Sequence, residues 1–142
     1  MPQGMTRAPY VLDDQIGYIL RRVTQRHLAI FAQAIPDVTT TQFAVLMRLA
    51  ELGPQSQNAL GRETAMDAAT IKGVVDRLAR QGLVATTPDT ADRRRLTVAL
   101  TEAGAALVAR LTDTALGVSD QTLAPLTSDE RARLITLLSR LA

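Results

Sequence analysis

The sequence predicts a mainly α fold broken once by a small β-hairpin. Of its 142 residues 46% are hydrophobic but only 3% aromatic. The core must therefore come from Leu, Val, Ile and Ala, and an Ala- and Leu-rich chain leans helical. Most apolar residues recur at helical spacing between residues with capping chemistry. One stretch departs from that period. Leu83–Thr87 and Leu96–Leu100 are β-favouring runs, and the polar segment between them carries Arg93, Arg94 and Arg95 in a row.

Residues 1–10 hold two Pro and a Gly and read as a flexible N-terminal arm. A long helix is expected from about Leu12. Ile16, Ile19, Leu20, Val23, Ile30, Phe31 and Ala34 form its stripe, Asp13 and Asp14 sit near its start, and Pro36 ends it. Thr39 or Thr40 caps a second helix with Phe43, Leu46, Met47 and Ala50 on one face, stopped by Gly53-Pro54. A third runs from about Ser56 to Ala65. A fourth follows Asp67, a good N-cap, and reaches Gln81, with Gly82 as its left-handed C-terminal residue. After the hairpin, Thr101 opens a fifth helix to about Leu123, striped by Leu107, Leu111, Ala115 and Val118. Pro125 breaks it. Thr127 and Glu130 form a capping box for the last helix, which carries Leu134, Leu137, Leu138 and Leu141 on one side.

Two short helices, a tight turn and a strand–loop–strand are the layout of a winged helix-turn-helix, whose second helix enters the DNA major groove. An arginine run alone is an ordinary solvated loop. Beside such a helix it has a partner, because a basic loop can reach the adjacent minor groove and phosphates relieve the repulsion among its charges. Charge placement agrees. The net charge is +2, but residues 56–100 carry seven basic and five acidic groups against five and four before them and four and five after. In the candidate recognition helix, Ile71, Val74, Val75 and Leu78 form the inward stripe. Ala68, Ala69, Thr70, Lys72 and Gly73 lie away from it near the N-terminus. Small residues permit close approach, Ala and Thr methyls suit the thymine methyl, and Lys72 suits phosphate or guanine. Arg77, further along, is expected on phosphate.

The segment QSQNALGRETAMDAATIKGVVDRLARQGLV followed by DTADRRRLTVALTEAG resembles the MarR family of bacterial transcriptional regulators. The pattern is carried by Val75-Asp76-Arg77-Leu78, Gly82-Leu83-Val84, Asp89, Asp92-Arg93-Arg94 and Leu100-Thr101-Glu102-Ala103-Gly104. The resemblance implies a homodimer on a pseudo-palindromic double-stranded operator, with the first and last two helices forming the interface. It makes Arg94 the expected minor-groove residue and gives Asp92 the task of shaping the wing by pairing with Arg77 or Arg93. The implied organisation is an arm at 1–10, a dimerisation helix at 11–36, the DNA-binding domain at 37–100 and dimerisation helices at 101–142. The terminal apolar stripes, too large for one thin chain to cover, agree with a dimer. Ala68 and Ala69 stand where many members carry a polar or basic residue, which shifts weight from base contacts towards DNA shape and the wing.

Most members of the family answer to a small molecule. His27 is the only His and falls within the stripe of the first helix, with Arg22 and Arg26 one turn apart on the adjoining face. Together they are a candidate grip for an anion with an apolar body, an aromatic carboxylate first and an acyl-CoA thioester second. The competing reading is an interface histidine beside solvated arginines.

An enzyme is disfavoured. One His, no Cys and no Gly-rich phosphate loop leave few catalytic parts, and neither a metal nor a cofactor is expected. The lack of Cys also removes thiol-based sensing. No apolar run reaches about 18 residues, the length of a membrane span. The first ten residues lack a secretory h-region, so the expected place is the cytoplasm. The expected activity is repression. An activator of the same fold, a nonspecific architectural DNA binder and a protein-contact module are the alternatives, the last two disfavoured by the modest charge and by the arginine wing respectively.

Overall fold

The structure is a computed structural model and describes residues 8–142. Residues 1–7 of the expected arm lie outside the described residues. A single 3-10 turn at Leu12–Asp14 precedes the first helix, α1 (Ile16–Ala34), which therefore starts later than the apolar pattern suggests. There follow α2 (Thr40–Leu52), β1 (Gln55–Ser56), α3 (Gln57–Glu63), α4 (Ala68–Arg80), β2 (Val84–Pro88), β3 (Leu96–Leu100), α5 (Glu102–Thr122) and α6 (Ser128–Ser139).

Local chemistry sets these boundaries. Thr39 and Gln42 form a reciprocal capping box at the start of α2. The Ser56 hydroxyl accepts from Ala59 N–H at α3, the Asp67 carboxylate from Thr70 N–H at α4, and the Thr101 hydroxyl from Gly104 N–H at α5. Thr127 and Glu130 close the expected capping box at α6. Each satisfies backbone donors that helix starts leave unpaired. Gly82 has φ +74, the left-handed value that lets the chain leave α4 and enter β2.

The hairpin is antiparallel, with Val84 opposite Leu100, Thr86 opposite Val98 and Pro88 opposite Leu96. Pro88 ends an edge strand, where its missing N–H costs no ladder bond. The sheet gains a third, unanticipated strand. β1 pairs with β3 through Gln55–Val98 and Ser56–Thr97, giving the order β1-β3-β2. This ties the start of α3 to the wing.

The core runs from Phe31, Ile35 and Val38 through Val45, Leu46, Leu49 and Leu60 to Ile71, Val75, Leu78, Val98, Leu107, Leu111 and Val118. The inward stripes of α4 and α5 are as the sequence predicts, with Ala115 partly buried. α2 turns differently: Val45, Leu46 and Leu49 are buried with Gln42, while Phe43 and Met47 are half-buried and Ala50 is exposed. α2 packs on α4, α5 and β3 at once, so more than one of its faces is apolar. At the ends of the chain the stripes stay open. Ile16, Ile19, Leu20, Val23, Leu137 and Leu141 are exposed, and α6 has no buried residue.

Candidate nucleic-acid interface and ligand cavity

α4 presents its polar side outward. Ile71, Val74, Val75 and Leu78 are buried, whereas Ala68, Ala69, Thr70, Lys72 and Arg77 are exposed and Gly73 is half-buried. The first turn is thus a narrow, smooth surface bearing one hydroxyl. Lys72 Nζ pairs with Asp76 one turn on, at 2.9 Å, a solvated i,i+4 contact that a phosphate can displace. The backbone N–H of Thr70, donating to Asp67, holds that carboxyl below its ordinary range. The cap therefore stays ionised and α4 keeps a firm start.

The wing turn is built by aspartates. Asp89 N–H donates to Arg95 O at 2.8 Å, Arg95 N–H to Asp92 O at 2.9 Å, and Asp89 Oδ1 accepts from Ala91 N–H at 2.9 Å. Asp92 Oδ1 accepts from Arg94 N–H at 3.0 Å and from Arg94 Nε at 3.4 Å. Asp92 does shape the wing, but through Arg94, two residues away, and not through Arg77 or Arg93. Turn geometry decides this, since an Asx carboxylate reaches the N–H two residues on. Arg93, Arg94 and Arg95 are all exposed, and 93% of the Arg94 side-chain surface is open. Arg94 and Arg95 also border a small polar cleft of about 70 Å³ with Ser56, Gln57 and Asn58. Those three residues were not candidates, because the β1–β3 pairing that brings α3 to the wing has no sequence signature.

A second feature lies where α1, α2 and α5 meet. A cavity of about 340 Å³ is lined by His27 and Phe31 of α1, by Thr40, Phe43, Ala44 and Met47 of α2, and by Thr112, Ala115, Leu116, Val118 and Ser119 of α5. Phe31 and Phe43 meet edge to face, centroids 5.8 Å apart. His27 is half-buried, and its Nδ1 lies 2.8 Å from Thr122 Oγ1. The other two residues of the expected anion grip do not line this cavity. Arg26 donates to the carbonyls of Thr122 (2.7 Å) and Gln121 (2.9 Å), satisfying the open C-terminal end of α5. Arg22 lies over the ring of Tyr18, 5.9 Å from its centroid. Arg26 and His27 both reach Thr122, but Arg26 is taken up by backbone carbonyls at the end of α5 and only His27 borders the cavity. Phe43, Met47, Thr112 and Ser119 were missed as lining residues. Phe43 and Met47 sit at i, i+4 spacing, the one signal that could have marked them, and it is equally the signal of core.

Comparison with known proteins places this geometry. The profile of the MarR family matches residues 38–96, from the loop before α2 to the first residue of β3. The HTH-type transcriptional repressor NicR of Pseudomonas putida is 40% identical over 139 residues, 96% of this chain and 88% of NicR. The chain belongs to the MarR family. MarR-family structures share the whole architecture with it, including the terminal helices beyond the matched segment. A probable transcriptional regulator from Pseudomonas aeruginosa superposes with a TM-score of 0.90 at 51% identity, covering 93% of this chain and 100% of that one. BpsR of Bordetella bronchiseptica, whose DNA binding is regulated by 6-hydroxynicotinic acid, superposes with a TM-score of 0.89 at 40% identity, covering 94% and 96%. The winged helix-turn-helix with its small sheet is thus the fold of a family of transcriptional regulators. No helix among the described residues is long and apolar enough to cross a membrane.

Proposed function

We propose that this protein is a homodimeric, ligand-controlled transcriptional repressor. The observation that carries the proposal is the sharing of α2. Phe43 and Met47 wall the cavity, while the buried side of α2 packs against α4, the exposed helix beside the arginine wing. A ligand held there touches the helix on which the DNA-reading helix rests.

Residues 37–100 act as the DNA-binding domain. Ala68, Ala69, Thr70 and Gly73 approach base edges, Lys72 and Arg77 meet phosphate, and Arg93, Arg94 and Arg95 serve the minor groove and its flanking phosphates, with Asp92 shaping the turn. Residues 11–36 and 101–142 form the dimer interface. The open apolar residues of α1 and α6 support this, since an α6 with nothing buried has little to hold it within one chain. Two wings and two recognition helices then meet successive grooves of an inverted repeat, and occupancy of a promoter excludes polymerase in the cytoplasm. The effector is a single-ring aromatic acid. The cavity volume falls at the small end of the range for ligand pockets, about 300–1,000 Å³, and regulation of BpsR by 6-hydroxynicotinic acid supports the class.

The test is a titration of the dimer against a pool of promoter fragments, with and without 6-hydroxynicotinic acid, related aromatic acids and their CoA thioesters. Tight binding to an inverted repeat, released by one acid, is the expected result. Uniform weak binding to every fragment would make the protein an architectural binder. Selective binding that no compound releases would remove the ligand from the reading.

A further inference from the structure

Arg95 stands outside the Asp92-Arg93-Arg94 pattern that carries the family resemblance, yet the fold gives it defined surroundings. Its backbone is pinned in the wing turn: its N–H donates to Asp92 O at 2.9 Å, and its carbonyl accepts from Asp89 N–H at 2.8 Å. Its side chain is exposed and makes no hydrogen bond or ion pair among the described residues. Arg94 differs, since its Nε turns back to Asp92 at 3.4 Å. The pairing of β1 with β3 sets Ser56 opposite Thr97, two residues beyond Arg95, and so brings α3 against the base of the wing.

The cleft formed there is small and carries one sign of charge. Ser56, Gln57, Asn58, Arg94, Arg95 and Leu96 border about 70 Å³. Liquid water takes about 30 Å³ per molecule, and pockets for small organic ligands begin near about 300 Å³. The cleft therefore fits one oxyanion group and no organic body. Two of its residues are cations and none is an anion. Ser56 Oγ accepts from Ala59 N–H and keeps its own proton to give. The Asn58 side chain is exposed and makes no hydrogen bond among the described residues. Gln57 supplies an acceptor, for its Oε1 is buried and has no partner among the described residues. A buried acceptor requires a donor. A guanidinium has five N–H groups, enough for that oxygen and for a bidentate contact to phosphate.

With α4 in a major groove and the wing tip in the adjacent minor groove, one sugar–phosphate strand runs between the two. The cleft lies between the helix that leads into α4 and the base of the wing, where that strand crosses. We propose that Arg95, Ser56 and Asn58 form a binding site for one DNA phosphodiester in each half-site, with Gln57 as a positioning residue that holds the Arg95 guanidinium. This rests on the DNA-binding reading and divides the arginine run: Arg94 enters the minor groove, and Arg95 anchors the backbone beside it. Such a contact fixes register and reads no base.

The experiment is a methylphosphonate scan of an inverted-repeat duplex selected from the promoter pool. One phosphate of one half-site is neutralised at a time, and the affinity of the intact dimer is measured at fixed salt. Wild type should lose affinity at several phosphates. At one of them the loss, about tenfold, should shrink to within about twofold in Arg95→Ala and in Asn58→Ala and persist in Arg94→Ala. Arg95→Lys, which keeps the charge but not the fork, should retain part of it. Gln57→Leu should reduce the loss at that phosphate and leave the others at wild-type values, which a merely weakened fold would not do; an unchanged loss takes Gln57 out of the site. Ser56 is spared because it also caps α3. The inference is overturned if no phosphate depends on Arg95. It is overturned too if the phosphate that depends on Arg95 ignores Asn58, which puts Arg95 on the backbone outside the cleft. Saturable displacement of the duplex by inorganic phosphate at constant ionic strength, with no scanned phosphate coupled to Arg95, assigns the cleft to a free anion instead. A pool from which no duplex is selected removes the DNA-binding reading itself.

Discussion

Gly104 closes the motif that runs from β3 into α5, and the structure gives it a reason. A Cβ built there falls far inside contact distance of the Leu83 carbonyl oxygen, 3.0 Å from the Leu83 carbonyl carbon and 3.1 Å from Leu100 Cδ2. The first of these is backbone and cannot rotate away, so the start of α5 must back off by about an ångström. That movement opens two bonds which hold α5 to the hairpin, Thr101 N–H to Leu83 O (3.1 Å) and Thr101 Oγ1–H to Gly82 O (2.7 Å). Overpacking costs about 1–3 kcal/mol and each lost bond about 1 kcal/mol, so Gly104→Ala should destabilise by roughly 3–5 kcal/mol. For a chain of this size the melting temperature should fall by about 10 °C or more, read by circular dichroism at fixed protein concentration because dimers melt by mass action. Gly73→Ala is the matched control. It lies in a helix interior with nothing within 4 Å of a new Cβ, and should gain about 0.5–1 kcal/mol. A Gly104→Ala protein that melts with wild type, or two variants that shift in the same direction, would refute this account of the motif.

Three further outcomes are expected. Arg94→Ala should weaken binding to every operator and reduce the slope of log affinity against log salt by about one; an unchanged slope takes Arg94 off the DNA. Asp67 and Glu130 are held below the ordinary carboxylate range, first by the backbone N–H groups of Thr70 and Thr127 respectively. Their contribution is therefore present above the unfolded-state pKa and lost as pH falls through the lower folded-state values, below about pH 4. Asp67→Asn keeps the acceptor and should flatten part of that acid limb in melts against pH, while an acid limb identical to wild type assigns it to other groups. Leu137→Asp, on the open face of α6, should yield monomers by sedimentation and lose operator affinity; an intact dimer with full affinity sends the interface elsewhere.

What was legible in the sequence was what local chemistry decides. Asp67 and Thr127 cap the helices they were expected to cap, Thr39 rather than Thr40 caps α2, Thr101 caps the helix it was expected to open, and Ser56, expected as the first residue of its helix, is instead its cap, because a cap needs only a short side chain and the N–H two or three residues on. The outward face of α4 was legible because its buried stripe follows one strict period. Three things were not. A two-residue strand such as β1 has no alternation to read, and it exists only because β3 offers an edge. The partner of Asp92 depends on a turn conformation and not on which basic residues lie near in sequence. The roles of Arg26 and His27 depend on where α5 ends, since both meet its last turn and the open carbonyls of Gln121 and Thr122 hold Arg26 outside the cavity, while Arg22 turns to Tyr18.

The link between cavity and DNA is itself open to a strict test. A ligand shifts an equilibrium only by binding two conformations unequally, so the cavity must change shape between the DNA-bound and released arrangements. α2 is the element positioned to transmit that change: Phe43 and Met47 meet the ligand on one side, and Val45, Leu46 and Leu49 lie in the core it shares with α4 on the other. Typical couplings of about 1–3 kcal/mol correspond to about 5- to 150-fold in affinity. Linkage demands that operator DNA weaken ligand binding by the same factor by which ligand weakens operator binding. The two factors can be measured separately, by ligand titration of the preformed protein–operator complex and by operator titration of the ligand-saturated dimer. Equal factors are expected. A ligand that binds the free dimer and the operator complex with one affinity cannot release DNA, and α2 would lose its place as the transmitting element.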